Sequence, residues 1–421
     1  MTNSSFRLLP LAVALATSFA AHATDEQKLA ELENKVAILE AKELNSVADK
    51  FNFNGFASLN MQLGNHSHGF MKSENKVRFE EGSLIGLQGE FEVNESTSAV
   101  VQMVARGTKK ENWTPDVEWA FLSHKVTPNL TLRGGKLRLP LFMYSDYLEV
   151  GYAQTSVRVP SEVYGPVVLT SLTGGDFIYD IELEDSTASF QGFVGAQKLS
   201  ASKHTYSADT QFDDIVGGVI NWTDDTWTLR AVYAQATVSS STNWILDNDP
   251  LNPGNSYEMQ NTKFNDEKAK FYGIGGRYDN GNLALVSEVT RTTVEGFYQD
   301  VDAAYLTVSY RVNEFTPYVT AAHMETTDDA ERNGQVKSTG MKALLGTGSP
   351  NDYKSAKYVA SGLNVQRTTY SIGTRWDFMP NIALKGDISY LTNFGSTNGG
   401  VNASYKNEDN ILYTVKVDAV F

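Results

Sequence analysis

The last eleven residues of the chain alternate strictly between two kinds of side chain. One set is apolar or aromatic and comprises Ile411, Tyr413, Val415, Val417, Ala419 and Phe421. The intervening set is mostly polar or charged and comprises Leu412, Thr414, Lys416, Asp418 and Val420. Because successive side chains of a β-strand point to opposite faces, the segment predicts a strand with one apolar face. Such a strand suits either a half-buried sheet in a soluble protein or the wall of a barrel in lipid.

The N-terminus predicts a secretory signal peptide. Arg7 precedes an apolar run from Leu8 to Ala21, and Ala21-His22-Ala23 supplies the small-residue pattern of a cleavage site. The run spans about 14 residues, whereas a transmembrane helix needs about 20. We therefore assign residues 1–23 to a signal peptide and expect the mature chain to begin at Thr24.

Composition narrows the classes of protein that the mature chain can belong to. No later run of 18 apolar residues exists, so a membrane location would require a closed barrel. The formal net charge of −15, without a dominant basic face, argues against a nucleic-acid partner. The absence of cysteine removes disulfides, thiolate nucleophiles and cysteine-based metal sites. We expect neither a cofactor nor a metal site.

Residues 24–50 favour a helix that precedes the strands. Four apolar residues follow a 3-4-3 spacing, namely Leu29, Leu32, Val36 and Leu39. The seam lasts about two heptads, and a lone helix of that length is marginal in water. It could pack on its own protein or form a short coiled coil between protomers. The second interpretation is favoured because residues 45–50 lead directly into a strand.

From Phe51 onward, short alternating segments are separated by turn residues. Sixteen strands are predicted, at approximately 51–63, 80–93, 97–107, 115–127, 130–139, 172–184, 187–197, 212–223, 226–239, 267–278, 282–293, 301–312, 315–326, 364–377, 381–393 and 410–421. Tight turns rich in Asn, Asp, Gly and Pro alternate with longer connections. This pattern is typical of an up-and-down outer-membrane barrel with turns in the periplasm and loops outside. The predicted fold class is all-β, a sixteen-stranded antiparallel transmembrane β-barrel over residues 51–421.

The two faces of the predicted strands support a barrel in lipid. Tyr413 and Phe421 are eight residues apart, as are Tyr370 and Phe378. Eight residues of a strand tilted by about 45° cover roughly 19 Å of the bilayer normal, which suits two aromatic girdles. The opposite faces carry the charged residues predicted for the lumen wall: Arg230, Arg311, Arg367, Arg375, Lys385, Lys416 and Asp418.

Residues 51–421 resemble the sixteen-stranded trimeric porins of the Gram-negative outer membrane. The stretch from Gly134 to Pro140, with the sequence GGKLRLP, resembles the end of the fifth strand in that family. The N-terminal seam is similar to the periplasmic coiled coil of some porins, such as the sucrose porin. The strand ending in Tyr413 and Phe421 resembles the C-terminal sorting signal of outer-membrane barrels. The resemblance implies a homotrimer that contacts outer-membrane lipid and lipopolysaccharide and is inserted by the barrel assembly machinery.

The same resemblance implies that the third long connection, residues 140–171, folds into the lumen and constricts it. The residues expected at the constriction are acidic and basic groups on the loop, Asp146, Glu149, Arg158 and Glu162, and basic groups on the adjoining wall, Arg106, Arg133, Lys136 and Arg138. Opposed acidic and basic clusters would create a transverse field that filters ions and orients dipolar solutes.

The sequence favours a water-filled channel for passive diffusion of small hydrophilic solutes and ions. One alternative is a substrate-selective porin for anions, organic acids or sugars. Another is a surface adhesin or phage receptor that acts through the long loops. An outer-membrane protease or lipase is disfavoured, because no Ser and carboxylate are identifiably placed with His124 or His323. His66 and His68 are interpreted as solvated loop residues.

Overall fold

The structure is a computed structural model that describes residues 35, 50–108, 111–200, 209–240, 244–246, 257–259, 265–296, 298–329 and 363–421. The predicted signal peptide and the seam residues Leu29, Leu32, Val36 and Leu39 lie outside these residues. In the described part of the chain, no helix is both long enough and apolar enough to cross a membrane.

Sixteen of the described strands form one closed antiparallel barrel. Their bounds are β1 (Phe51–Gly64), β2 (Leu84–Asn94), β3 (Thr97–Arg106), β4 (Pro115–Thr127), β5 (Leu130–Arg138), β6 (Ser171–Glu182), β7 (Thr187–Leu199), β8 (Thr210–Thr223), β9 (Trp227–Ser240), β12 (Glu267–Asp279), β13 (Leu283–Val294), β14 (Val301–Tyr310), β15 (Phe315–Thr326), β16 (Gln366–Met379), β17 (Ile382–Thr392) and β18 (Asn410–Val420). Two short strands between β9 and β12, β10 (Trp244–Leu246) and β11 (Tyr257–Met259), pair with each other in a separate sheet.

The sixteen predicted strands are confirmed, and each boundary agrees to within about four residues. The agreement follows from the chemistry of the short connections. Asn313, Asn381 and Gly281 lie in three of these turns and have positive φ angles of 53°, 64° and 91°. Asn and Gly tolerate this left-handed conformation better than other residues, so the turns are marked in the sequence.

The C-terminal segment closes the barrel by pairing with the first strand. The register of β1 and β18 runs from Phe56 opposite Val420 to Gly64 opposite Leu412. Beyond this ladder, Gly55 and Phe421 exchange backbone hydrogen bonds of 2.6 and 2.9 Å. Closure therefore extends to the last residue and leaves no free edge on the sheet.

The outer face of the barrel is apolar and exposed. Ile372 on β16 is 63 % exposed and Ile274 on β12 is 71 % exposed, whereas inward-facing Arg367 on β16 is 6 % exposed. Exposed apolar residues recur on the other strands, including Leu59, Leu122, Val194, Ile220, Val289 and Tyr413. A closed barrel with such a belt suits a hydrocarbon environment, because closure pairs each strand with a neighbour on both sides and leaves no open edge of backbone polar groups.

The main buried core lies inside the barrel, between the wall and the connection from β5 to β6. We call this connection, residues 139–170, loop 3. The buried cluster combines loop residues with lumen-facing wall residues and includes Leu139, Leu141, Phe142, Val163, Leu169, Phe193, Ile215, Val219, Phe271 and Tyr305. The Phe142 ring lies 4.5 Å from the Tyr164 ring and 5.2 Å from the Phe271 ring, measured between centroids. Burial of these side chains draws loop 3 onto the wall.

A side chain at Gly55 would collide with the Phe421 ring where that ring now lies. A β-carbon there would lie 2.2 Å from the Phe421 ring. We expect Gly55→Val to displace Phe421 and weaken closure, since overpacking costs about 1–3 kcal/mol. The measurement is the fraction of protein that shows the heat-dependent gel mobility of a folded barrel.

Gly386→Val is the matched control for this prediction. A β-carbon at Gly386 has no atom within 4 Å, so this variant should fold as the wild type does. Equal folded fractions for the two variants would contradict the role assigned to Gly55.

Candidate pore constriction

Loop 3 lies inside the barrel and does not extend from its rim. It contains three short helical turns, Ser145–Tyr147, Gly151–Ala153 and Ser161–Tyr164. Between these turns the chain contacts the inner wall at several separate places. The contacts fall into groups on β3–β5, on β13–β16 and on β16–β18, so the loop is held from different sides of the lumen.

The first group is an ion cluster that joins loop 3 to β3, β4 and β5. Glu149 of the loop accepts hydrogen bonds from Arg106 (Nη2–Oε1 3.1 Å) and Arg138 (Nη2–Oε2 2.5 Å). Glu118 on β4 lies 2.7 Å from Arg106 Nη1 and 3.6 Å from Arg138 Nη1. Arg138 also donates from Nε to the carbonyl of Ser145 at 2.5 Å. A third carboxylate, Glu111, lies 3.7 Å from Arg106 Nη1. The cluster therefore has no excess positive charge, and it holds this part of the loop against the wall.

A fully buried lysine holds the tip of loop 3 from the other side. Lys385 on β17 is 0 % exposed, and its ammonium lies 2.8 Å from Asp418 Oδ2. The same ammonium donates to the carbonyls of Gly151 and Gln154, both at 2.7 Å. A β-carbon at Gly151 would lie 2.1 Å from Asp418 Oδ1, so the backbone approaches this closely because residue 151 has no side chain.

Arg375 on β16 adds a second cationic contact to the same turn of the loop. Its Nη1 donates to the carbonyls of Tyr152 (2.5 Å) and Gln154 (3.0 Å), and its guanidinium lies 4.6 Å from the centroid of the Tyr152 ring. Lys416 on β18 donates to the carbonyl of Val157 at 3.3 Å. These basic side chains therefore satisfy backbone carbonyls of the loop.

The last helical turn of loop 3 is held by a buried carboxylate. Glu162 is 1 % exposed, and its Oε1 accepts from Arg367 Nε and Thr369 Oγ1, both at 2.7 Å. Burial opposes ionisation of Glu162, but the charge of Arg367 and these hydrogen bonds outweigh it and place the pKa below the ordinary value of 4.5. Glu162 is therefore ionised at neutral pH and pairs loop 3 with β16.

Glu288 on β13 also binds loop 3, a role that was not predicted from the sequence. Its Oε1 accepts from Tyr164 Oη (2.6 Å), Tyr305 Oη (3.1 Å) and the Met143 amide (3.0 Å). Burial and the Glu288 carboxylate raise the pKa of the Tyr164 phenol well above its usual range, so the phenol stays protonated and donates. The available signal was a single carboxylate within the apolar alternation of this strand.

Arg230 on β9 differs from the other lumen arginines of the described residues. Its Nη1 donates to Asn221 Oδ1 at 3.1 Å, and its Nη2 donates to the carbonyl of Pro140. Its buried Nε has no hydrogen-bond partner. Arg230 forms no ion pair in the described structure, and the carboxylates that interact with its charge are those of Asp146 and Glu288. The charge of Arg230 is therefore not cancelled by direct contact with a carboxylate.

The structure brings together only some of the predicted constriction residues. Arg106, Arg138 and Glu149 meet, but in direct contact and not as separated clusters. Arg133 forms a bidentate pair with Asp176 on β6, and Lys136 donates to the Val117 carbonyl. Both basic groups are thus bound to the wall itself.

Three further predicted residues have distinct positions. Asp146 lies on loop 3 and is exposed. Arg158 of the loop donates to the Thr414 hydroxyl on β18. Arg311 lies beyond the end of β14, in the short connection 311–314, where it is exposed and donates to the Gly281 carbonyl. Arg311 is therefore at the rim and does not extend from a strand into the lumen.

The interpretation of His68 as a solvated loop residue is wrong. Its side chain is 0 % exposed and contacts the Ile411 carbonyl and the Ser73 hydroxyl, both at 3.2 Å. The first of these contacts ties the first long connection to β18.

Lys385→Met tests whether the buried lysine holds the tip of loop 3. The change removes the donor shared by three loop carbonyls, those of Gly151, Gln154 and Ser156, and each unsatisfied buried group costs about 1–3 kcal/mol. We expect a lower unfolding temperature and greater open-channel current noise in planar bilayers. Lys125→Met, at an exposed lysine near the end of β4, is the control and should leave both unchanged. Wild-type noise and stability in Lys385→Met would contradict the assignment.

Glu162 predicts how the loop responds to acid. A carboxylate with a depressed folded-state pKa stabilises the fold above its ordinary value, and this contribution is lost as pH falls through the folded-state pKa. We therefore expect current noise to stay constant between pH 7 and about pH 5 and to rise below about pH 4.5. In Glu162→Gln the noise should already be raised at pH 7. A noise transition centred above pH 5 that disappears in Glu162→Gln would be inconsistent with the depressed pKa.

Several solved structures of outer-membrane proteins have a fold similar to that of this chain. No protein-family model and no curated protein sequence matches the chain. Among solved structures, OmpT of Vibrio cholerae in its trimer form is 13 % identical with a TM-score of 0.53, covering 88 % of this chain and 99 % of that one. OmpF of Salmonella typhi is 14 % identical with a TM-score of 0.52, covering 88 % and 97 %.

An anion-selective porin from Comamonas acidovorans is also similar to this chain. It is 11 % identical with a TM-score of 0.51, covering 88 % of this chain and 99 % of that one. At such low identity the similarity concerns the fold alone. The chain has the closed sixteen-stranded barrel architecture of this group of outer-membrane proteins.

Proposed function

We propose that the protein is an outer-membrane porin that lets small hydrophilic solutes and ions diffuse through a lumen constricted by loop 3. The observation that carries the proposal is the inserted loop, held by Glu149 on one side and by Lys385 and Arg367 on others. A loop fixed within a barrel narrows the aqueous path without closing the ends.

The outer surface of the barrel supports a membrane location. Its exposed apolar belt includes Ile274, Ile372 and Tyr413. The predicted signal peptide and the terminal Phe421 support export and insertion into the outer membrane by the barrel assembly machinery. On this proposal, the short connections face the periplasm and the long ones face outward, in contact with lipopolysaccharide.

Polar side chains on the inner wall support an aqueous path. Gln102 on β3 is 2 % exposed, whereas its neighbours Val101 and Met103 are each 43 % exposed on the outer face. The Gln102 amide therefore points inward, where it donates to Gln88 Oε1 at 3.1 Å. On β6 and β7, Asp176 and Gln191 are buried on the same inner side and bonded to each other at 2.7 Å.

We further propose a homotrimer in which residues 24–50 form a periplasmic coiled coil. The a/d seam supports this, as does the existence of a trimer form of the structurally similar OmpT of Vibrio cholerae. Three equal conductance steps per inserted unit would be the functional signature.

Selectivity for anions is the second candidate function, and Arg230 favours it. Most other basic groups at loop 3 pair directly with carboxylates and so contribute little net field along the path: Arg106, Arg138, Arg367, Arg375 and Lys385. Arg230 retains a charge without a direct ion pair in the described residues, and Asp146 and Glu288 act on it only from a distance. One of the structurally similar proteins is an anion-selective porin, which agrees with this assignment.

Planar-bilayer recording tests the channel proposal. We expect the purified full chain to produce stepwise conductance in groups of three, because each protomer supplies one lumen. The reversal potential in a salt gradient then gives the ratio of anion to cation permeability. Absence of conductance from correctly folded protein would refute the channel proposal.

Arg230→Gln tests the basis of ion preference. Removing this charge from the narrowed lumen should lower the ratio of anion to cation permeability by about twofold, since an unpaired charge there acts at short range. Arg311→Gln, at the exposed rim, is the matched control and should leave the ratio unchanged. An equal effect of the two substitutions would contradict the special role of Arg230.

A further inference from the structure

An apolar cavity of about 400 Å³ lies inside the barrel, on the side of loop 3 that faces the long connections. Its lining includes Leu141 and Leu169 from the two ends of the loop and Phe212, Ile215 and Phe271 from the wall. The wall residues come from the ends of β8 and β12 that join the long connections. The cavity is therefore located where a solute entering from outside would meet loop 3.

The cavity belongs to the lumen and not to the lipid-facing surface. Its wall residues Ile215 and Phe271 are 2 % and 4 % exposed. Their neighbours Val216 and Tyr272 point outward and are 40 % and 43 % exposed. Because alternate residues of a strand face opposite sides, the acyl chains of membrane lipids contact the second set and not the cavity.

The lining of the cavity is mostly apolar, and its polar members are mostly uncharged: Thr210, Gln235, Thr292, Tyr298 and Gln299. Its described lining residues include no Asp or Glu. Their one charged residue is Lys270, which is exposed and lies on the opposite face of the strand from inward-facing Phe271. The Oε1 atom of Gln299 is buried without a hydrogen-bond partner and offers an acceptor at the edge. Water solvates such walls poorly, and cavities lined by hydrocarbon bind apolar guests.

A cationic group lies next to the apolar cavity. The Arg230 guanidinium donates to the carbonyl of Pro140, which is flanked by the lining residues Leu139 and Leu141. An apolar surface and a guanidinium without a direct ion pair thus occur on adjacent parts of one wall. This combination matches a molecule that carries both an apolar group and a carboxylate.

We propose that the cavity is a binding subsite for the apolar ring or short alkyl chain of a small amphiphilic carboxylic acid. The acid would dock there before it crosses the constriction. This inference rests on the proposed channel function, and it extends that function from hydrophilic solutes to a class of acids with an apolar part.

A comparison of 3-phenylpropionate with propionate tests the subsite. The two anions carry the same charge and differ by a phenyl ring. In single-channel recordings of the wild type, current blockades by 3-phenylpropionate should last about tenfold longer than those by propionate, and tenfold corresponds to about 1.4 kcal/mol. Equal blockade times for the two acids would overturn the proposal.

Cavity-filling substitutions locate the effect. Ala234→Phe and Ala236→Phe each place a ring in the cavity lining, and either should reduce the ratio of blockade times to about one. Two variants are used because one of them could fold poorly. Ala231→Phe lies on the same strand with its side chain exposed on the outer face, and it should retain the wild-type ratio. A ratio that survives in every folded filling variant would also overturn the proposal.

Calorimetric titration of the detergent-solubilised full chain separates this inference from the channel proposal. Heat from 3-phenylpropionate that is lost in Ala234→Phe would support the subsite even in a protein that conducts nothing. A second outcome is a protein that conducts but shows no difference between the two acids in blockade time or in heat. This result would refute the subsite and leave the channel proposal intact.

Discussion

Satisfying the backbone of loop 3 inside the barrel is the constraint on which the rest of the structure depends. A loop removed from water must find partners for its carbonyl groups, or it loses about 1–3 kcal/mol for each one left unsatisfied. Lys385, Arg375 and Lys416 provide donors at the tip, while Arg138 and Arg230 provide them near the start. Apolar packing draws the loop to the wall, and these donors make its inserted path possible.

This use of basic residues determines how much charge the lumen retains. A count of arginines and lysines on the inner wall suggests a strongly cationic path. In the structure most of them face a carboxylate or a loop carbonyl, as Arg106 does with Glu118 and Glu149. Arg230 and Arg158 differ from most of these groups because neither forms an ion pair in the described structure. Arg230 also lies next to the apolar cavity. Ion preference and solute preference are therefore assigned to one region of the wall.

The sequence predicted the barrel well because the relevant signals are local. Alternation of side chains marks each strand, and Asn313, Asn381 and Gly281 mark turns that need positive φ. The partners of loop 3 are not local, since Glu162 and Arg367 are 205 residues apart and meet only after the barrel closes. Strand periodicity fixes which residues face inward, but it contains no information on where an inserted loop contacts them. Glu288 was missed for this reason.

The central claim is that loop 3 occupies one fixed position inside the lumen. The chain has no cysteine, so two introduced cysteines can carry the only spin labels. Exposed Ala153 on the loop and exposed Glu314 in a short turn are suitable sites. Pulsed electron–electron double resonance on spin-labelled Ala153→Cys/Glu314→Cys should give one narrow distance distribution at neutral pH. The distribution should be centred on the separation of residues 153 and 314 in the structure. A broad distribution, or a longer distance that places Ala153 outside the barrel, would contradict the account.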